Sequence, residues 1–223
     1  MVHKIVTAWF DYSEPHYERL MKAFRNSVER NTSYKVDVIE IEAPKKVKGR
    51  GWDTNSAKLY AWVDYLERSE DENIVFMDCD MIVLDSFDEV YDREFDICYT
   101  WRDNLPLNGG VIFVRNNEYT RQFFRDWAET NEKMMKNEHF HKFWHRKYVG
   151  INQPSFGYLL ESDPDCHIES VPCKIYNATE EYWNDIDGCK VIHYKTELRR
   201  CVLGIRFAPW LEHLRQIWLE YAD

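Results

Sequence analysis

Asp78, Cys79 and Asp80 follow directly on an apolar run, Asn73-Ile74-Val75-Phe76-Met77. In an extended segment residues i and i+2 point to one side, so the two carboxylates can aim at a common point while Cys79 faces away. Carboxylate oxygens favour hard divalent ions such as Mg²⁺ or Mn²⁺, which keep open positions that substrate phosphates fill. The chemistry on offer is capture of a metal-bound diphosphate. The competing reading is a capped turn with two solvated aspartates. Asp85 and Asp88 read as turn and helix-cap residues.

Further along, Asn108-Gly109-Gly110 leads into a second apolar run, Val111 to Val114. Asn108 is either a turn residue before two flexible glycines or a hydrogen-bonding partner for sugar hydroxyls, with Gly109 allowing close backbone approach. His193, within Val191-Ile192-His193-Tyr194-Lys195, reads in isolation as a histidine packed between strand and helix; together with the acidic loop it reads as a ligand. Asp103, in the stretch from Trp101 to Leu107, is placed to act as a general base. Trp101, Trp144 and Tyr148 can stack on sugar rings or fill packing space.

These residues need a scaffold, and the hydrophobic periodicity predicts one. Lys4 to Phe10 reads as a buried strand, followed after Glu14-Pro15 by a helix with the stripe Tyr17, Leu20, Met21, Phe24 and Val28. Val36 to Ile41 alternates as a second strand, and Asn55 to Leu66 forms a second helix. Asn73 to Met77, continuously apolar, fits a central parallel strand covered on both faces. Strands are then expected at Asp96 to Thr100, Gly110 to Arg115, Ile168 to Val171 and Lys190 to His193. Helices are expected at Glu118 to Met134, Gln153 to Leu160 and Pro209 to Tyr221, whose apolar stripe reads as docking on the domain rather than on a membrane. The fold class is α/β: one Rossmann-like domain over residues 1–223, with a mixed, mostly parallel sheet flanked by helices. In such sheets ligands bind outside the carboxyl ends of strands, which is where Asp78 stands.

Composition narrows the partners. With 223 residues, 44% of them hydrophobic and 30% charged, the chain can bury a sizeable core. A net charge of −10 argues against nucleic-acid and acidic-membrane partners. Two basic runs stand out against it, Lys45, Lys46, Lys48 and Arg50, and then Lys142, Arg146 and Lys147 with His139, His141 and His145. Both read as solvated loops. The first residues lack a secretory signal and no apolar run is long enough for a membrane span, so a cytoplasmic, soluble protein is expected. The six cysteines contain no CxxC pair and read as reduced thiols, and the sequons at Asn31 and Asn177 as chance matches.

Val75-Phe76-Met77-Asp78-Cys79-Asp80-Met81-Ile82-Val83 resembles the DxD segment of GT-A-fold glycosyltransferases. Asn108-Gly109-Gly110-Val111-Ile112-Phe113-Val114 is similar to the Asn-x-Gly strand of the glycogenin-like group, family 8, and Val191 to Lys195 to its late histidine segment. Together these span roughly residues 4 to 195. The resemblance implies a Mn²⁺ or Mg²⁺ ion held by Asp78, Asp80 and His193, and a nucleoside-diphosphate sugar, with a UDP-sugar expected first, as donor. It implies donor contacts from Thr7, Ala8, Lys58, Cys79, Asn108, Gly109 and Gly110, with Lys195 adding positive charge. The nucleotide half would be about residues 1–100 and the acceptor half about 101–223. Asn152-Gln153 stands where the group often has Asp-Gln. A neutral amide is a poor nucleophile, which leaves Gln153, a front-face mechanism, or inversion with Asp103 as base. The acceptor is a glycan, a protein or, less favoured, a nucleic acid. Two alternatives remain: a dehalogenase-type phosphatase, whose Asp-x-Asp loop is similar but whose later acidic loop is missing here, and a non-catalytic nucleotide-sugar or glycan-binding module.

Overall fold

The computed structural model describes residues 4–10, 15–42 and 52–222. In chain order its elements are β1 (Lys4–Phe10), α1 (Pro15–Asn31), β2 (Lys35–Ile41), α2 (Trp52–Arg68), β3 (Asn73–Met77) and β4 (Met81–Val83). A 3-10 turn (Asp88–Asp92) leads to β5 (Ile97–Arg102), β6 (Leu105–Arg115), α3 (Glu118–Lys136), α4 (Glu138–His145) and α5 (Gln153–Leu160). The remainder is β7 (Ile168–Pro172), α6 (Cys173–Tyr176), β8 (Val191–His193), α7 (Thr196–Val202), a second 3-10 turn (Pro209–Leu211) and α8 (Glu212–Ala222).

Six strands form one sheet in the order β2-β1-β3-β6-β5-β7. Within it β6 runs against its neighbours β3 and β5, while the β1–β2, β1–β3 and β5–β7 pairs are parallel. The α/β, mostly parallel expectation holds. β4 and β8 pair antiparallel in a small second sheet, with Met81 opposite His193.

β3 is buried along its whole length because successive side chains feed opposite cores. Ile74 and Phe76 pack with Leu59, Trp62 and Leu66 of α2 and Phe124 and Trp127 of α3. Val75 and Met77 pack with Met21, Phe24 and Val28 of α1. Trp62 stacks on Phe76 at 4.8 Å between ring centroids, a contact worth about 0.5–1.5 kcal/mol beyond area burial. A third cluster, containing Ile82, Trp183, Tyr194, Leu214 and Trp218, clamps the small sheet against α8. The Tyr194 hydroxyl donates to the Leu214 carbonyl at 2.8 Å within it.

Several expectations need correcting. The basic run around Lys142 is not a loop, because residues 138–145 form α4, started by the Asn137 side chain accepting from Phe140 N–H at 3.1 Å. Two of its cations are paired locally, Lys142 with Glu138 and Lys147 with Glu161, and His141 is buried with Nε2 on the Ile151 carbonyl. The other basic run, residues 45–50, lies outside the described residues. The pattern also misses β4, α6 and α7, each too short for a period to register. All six cysteines are free, Asn177 is fully buried, and no helix among the described residues is long and apolar enough to cross a membrane.

Packing of α5 sets up a test in which two effects oppose each other. Replacing a helical glycine by alanine gains about 1 kcal/mol of helix propensity, but a Cβ on Gly157 would collide with the ring of Tyr148, itself buried and tied through its hydroxyl to Glu161. Crowding of this kind costs roughly 1–3 kcal/mol or more. Gly157→Ala should therefore lower unfolding free energy in a urea titration; an unchanged or raised midpoint would show that the ring moves aside freely.

Candidate metal and donor site

The site forms where the chain passes from the large sheet to the small one. β3 ends at Met77, and Asp78 N–H then donates to the Gly110 carbonyl at 3.1 Å. Cys79 and Asp80 bend instead of continuing the strand, and Tyr194 N–H donates to the Asp80 carbonyl at 2.7 Å. One aspartate is thus fixed against β6 and the other against β8. The extended geometry expected for the acidic loop is replaced by a bend, yet the carboxylates converge.

They converge on His193. One oxygen each of Asp78 and Asp80 and a ring nitrogen of His193 lie within 4.8 Å of one another, a spacing that fits a single divalent ion. Nε2 of His193 is 3.3 Å from Asp80 Oδ1 and 3.9 Å from Asp78 Oδ2. The outer oxygens are held by protein cations. Lys58 Nζ is 2.7 Å from Asp78 Oδ1, and Arg199 Nη2 is 3.1 Å from Asp80 Oδ2. Each carboxylate is therefore neutralised on its outer side while its inner oxygen points at the common centre. Burial opposes the charge on Asp80, but His193 and then Arg199 outweigh it and hold the carboxyl below the ordinary carboxylate range. Burial also works against Arg199, and Asp80 more than restores its charge, so its pKa is raised. Burial pushes the Cys79 thiol well up, reinforced by Asp80 and Asp78, so it stays protonated and packs against the core.

β6 supplies the floor. A Cβ on Gly110 would come within 3.0 Å of His193 Cε1 and Met81 Cε, so only glycine leaves room for the imidazole to lie against the strand. Asn108 is buried, and its Oδ1 accepts from Gly110 N–H at 3.0 Å. Gln153 accepts from Gly109 N–H at 2.8 Å and donates to the Val149 carbonyl, so both ends of its amide are committed to backbone.

The remaining predicted residues stand as follows. Thr7 is fully buried with Oγ1 unpartnered among the described residues, and Ala8 is buried next to it. Asn152 is buried at the start of α5, where its carbonyl accepts from Trp127 Nε1 at 2.9 Å. Asp103 lies in the exposed turn between β5 and β6, and its N–H bonds the Tyr182 hydroxyl at 3.2 Å. Lys195 is 3.2 Å from Glu180, which also meets Arg102, so its charge is shared with an acidic neighbour. Tyr148 packs over Gly157 and Trp144 against Tyr158. Arg199, the cation paired with Asp80, is not singled out by the sequence pattern; its one signal is its place six residues after His193, beside Arg200.

Sequence comparison matches the chain to no protein-family model and to no curated protein. Solved structures do match it in fold. The glycosyltransferase GlyE of Streptococcus pneumoniae TIGR4 superposes with a TM-score of 0.65 at 13% identity, covering 100% of this chain and 60% of that one. The chain thus spans about 60% of GlyE's length. The galactosyltransferase LgtC, in complex with donor and acceptor sugar analogs, gives 0.63 at 13% identity, covering 98% and 95%. A glycosyltransferase involved in glycosylation of the major capsid of PBCV-1 gives 0.65 at 11%, covering 92% and 100%. The likeness establishes the GT-A fold expected from the motifs.

The backbone just after His193 is strained. Thr196 has φ +48°, a left-handed conformation that a β-branched residue adopts at a cost of about 1–2 kcal/mol. Thr196→Gly should raise the melting temperature in a thermal scan. A fall would mean that contacts of the threonine side chain exceed the strain.

Proposed function

We propose that this chain, with its GT-A fold, is a metal-dependent glycosyltransferase that moves a sugar from a nucleoside-diphosphate sugar, in the first instance a UDP-sugar, to a glycan or protein acceptor. The observation that carries the reading is the convergence of Asp78 Oδ2, Asp80 Oδ1 and His193 Nε2 on one point at the carboxyl end of β3. Two carboxylate oxygens and an imidazole suit Mn²⁺ or Mg²⁺. Such an ion, when bound, supplies Lewis-acid stabilisation of the departing diphosphate.

The rest falls to the chain's own residues. Lys58 and Arg199 orient the two carboxylates, and they stand beside the place where leaving-group charge develops. One well-placed group of this kind is worth about 3–4 kcal/mol in the transition state. Lys195 follows the histidine directly, with Glu180 tempering its charge. Gly109 lets the donor approach the backbone of β6, Gly110 leaves the room that His193 takes up, and Asn108 and Gln153 fix that backbone in place. Thr7 and Ala8, midway along β1, would stand on the nucleoside side. Residues up to about 100 form the nucleotide side and those beyond it the acceptor side, where Asp103 and Asn152 lie.

Two alternatives fare worse. A phosphatase of the dehalogenase type needs a first aspartate free to attack phosphorus, but Asp78 has one oxygen on Lys58 and the other facing His193. A nucleic-acid acceptor is disfavoured by the net charge of −10 and by the local pairing of Lys142 and Lys147. A non-catalytic binding module keeps the same metal geometry, so turnover is what separates it from an enzyme.

Incubation with a panel of UDP- and GDP-sugars, with Mn²⁺ or with EDTA, should release nucleoside diphosphate from one donor in Mn²⁺ alone. Asp80→Ala should reduce that release by at least roughly 100-fold. Turnover indifferent to EDTA would refute the metal reading, and donor binding without turnover would assign the chain to the non-catalytic class.

A further inference from the structure

We infer that Asn177 and Thr100 are positioning residues that decide which ring nitrogen of His193 carries its hydrogen, and thereby aim the free lone pair at the metal point. The inference rests on the metal reading proposed above and deepens it.

The chain of hydrogen bonds begins at a group with no choice. The backbone carbonyl of Asn108 can only accept, and the Thr100 hydroxyl donates to it at 2.9 Å. With its one hydrogen committed, Thr100 Oγ1 can only accept in turn, which it does from Asn177 Nδ2 at 2.9 Å. That orients the amide: NH₂ toward Thr100, Oδ1 toward His193. Oδ1 lies 3.0 Å from His193 Nδ1 and cannot donate, so Nδ1 carries the hydrogen. In the neutral ring Nε2 is left as a lone pair, and it is this atom that faces Asp80 Oδ1 and Asp78 Oδ2.

The opposite tautomer is a real competitor. A hydrogen on Nε2 would be attracted to Asp80 Oδ1 only 3.3 Å away, and it would occupy the direction a metal needs. Were the Asn177 amide reversed, its NH₂ would serve Nδ1 and favour that blocked form. Thr100 prevents the reversal, since a flipped amide would leave its oxygen facing a hydroxyl already bonded to Asn108. Thr100 and Asn177 are fully buried and His193 nearly so, which keeps water from relaying the hydrogens in another order. Gly110 is what lets the arrangement close, because a Cβ there would stand 3.1 Å from Asn177 Nδ2 and 3.0 Å from the His193 ring. Partners that orient a ligating histidine in this way typically contribute 10- to 100-fold in metal affinity.

Two readouts test the relay, one of them free of metal. In EDTA, at a pH where the ring nitrogen shifts show a neutral imidazole, long-range ¹H–¹⁵N correlations of ¹⁵N-histidine-labelled protein should place the His193 hydrogen on Nδ1. Thr100→Val should move it wholly or partly to Nε2, while Thr100→Ser, which keeps the hydroxyl, should restore the wild-type pattern. Free Mn²⁺ counted by electron paramagnetic resonance should show about 10- to 100-fold weaker binding for Thr100→Val and Asn177→Leu, with Thr100→Ser like wild type. Asn177→Asp, which keeps an acceptor at Nδ1, should bind at least as tightly as wild type. If Thr100→Val is folded and retains both the wild-type tautomer and Mn²⁺ affinity, the relay is overturned. Should wild type bind no Mn²⁺ while the hydrogen still shifts with Thr100, the relay stands and the metal reading falls.

Discussion

Two carboxylates must share one small space at the end of β3, and the surrounding structure is arranged around that demand. Unit charges 4.8 Å apart, the limit of the ligand cluster, repel by about 3–4 kcal/mol at an effective dielectric near 20. Burial raises the penalty further. The protein answers asymmetrically, with Lys58 on the outer oxygen of Asp78 and Arg199 on the outer oxygen of Asp80, while the inner oxygens stay directed at His193. The two cations anchor the acidic pair and leave its inner face open to a third positive charge.

The fold supplies the convergence through a change of sheet. β3 belongs to the large sheet and β4 to the small one, so Asp78 and Asp80 sit on the bend between them. Because Met81 pairs with His193, the register of β4 with β8 brings an imidazole more than a hundred residues downstream to the same point. Burial of Ile82, Trp183 and Trp218 around that ladder makes the register costly to slip. Hydrophobic packing around the small sheet thus holds the donor atoms in place.

Much of this was legible in the sequence, for identifiable reasons. β3 reads as a central strand because Ile74 to Met77 is an unbroken apolar run, and α1, α2 and α3 have apolar stripes long enough for a helical period to appear. Asp78, Asp80, His193 and the glycines of β6 stood out by type and order. What escaped was short or relational. β4, α6 and α7 span three, four and seven residues, too few for periodicity, and α4 was hidden by its own charges. Arg199 and Asn177 carry no local signature: one looks like half of an exposed Arg-Arg pair, the other like a sequon, and only the folded chain puts the first on Asp80 and the second on His193.

The most direct measurement is electron spin-echo modulation of Mn²⁺ bound to the protein in the presence of UDP. One directly coordinated imidazole nitrogen together with phosphorus coupling from the diphosphate is predicted, the nitrogen signal disappearing in His193→Ala while the phosphorus coupling weakens with loss of the ion. A spectrum of fully hydrated Mn²⁺, or a nitrogen signal unchanged by the substitution, would contradict a site built from Asp78, Asp80 and His193.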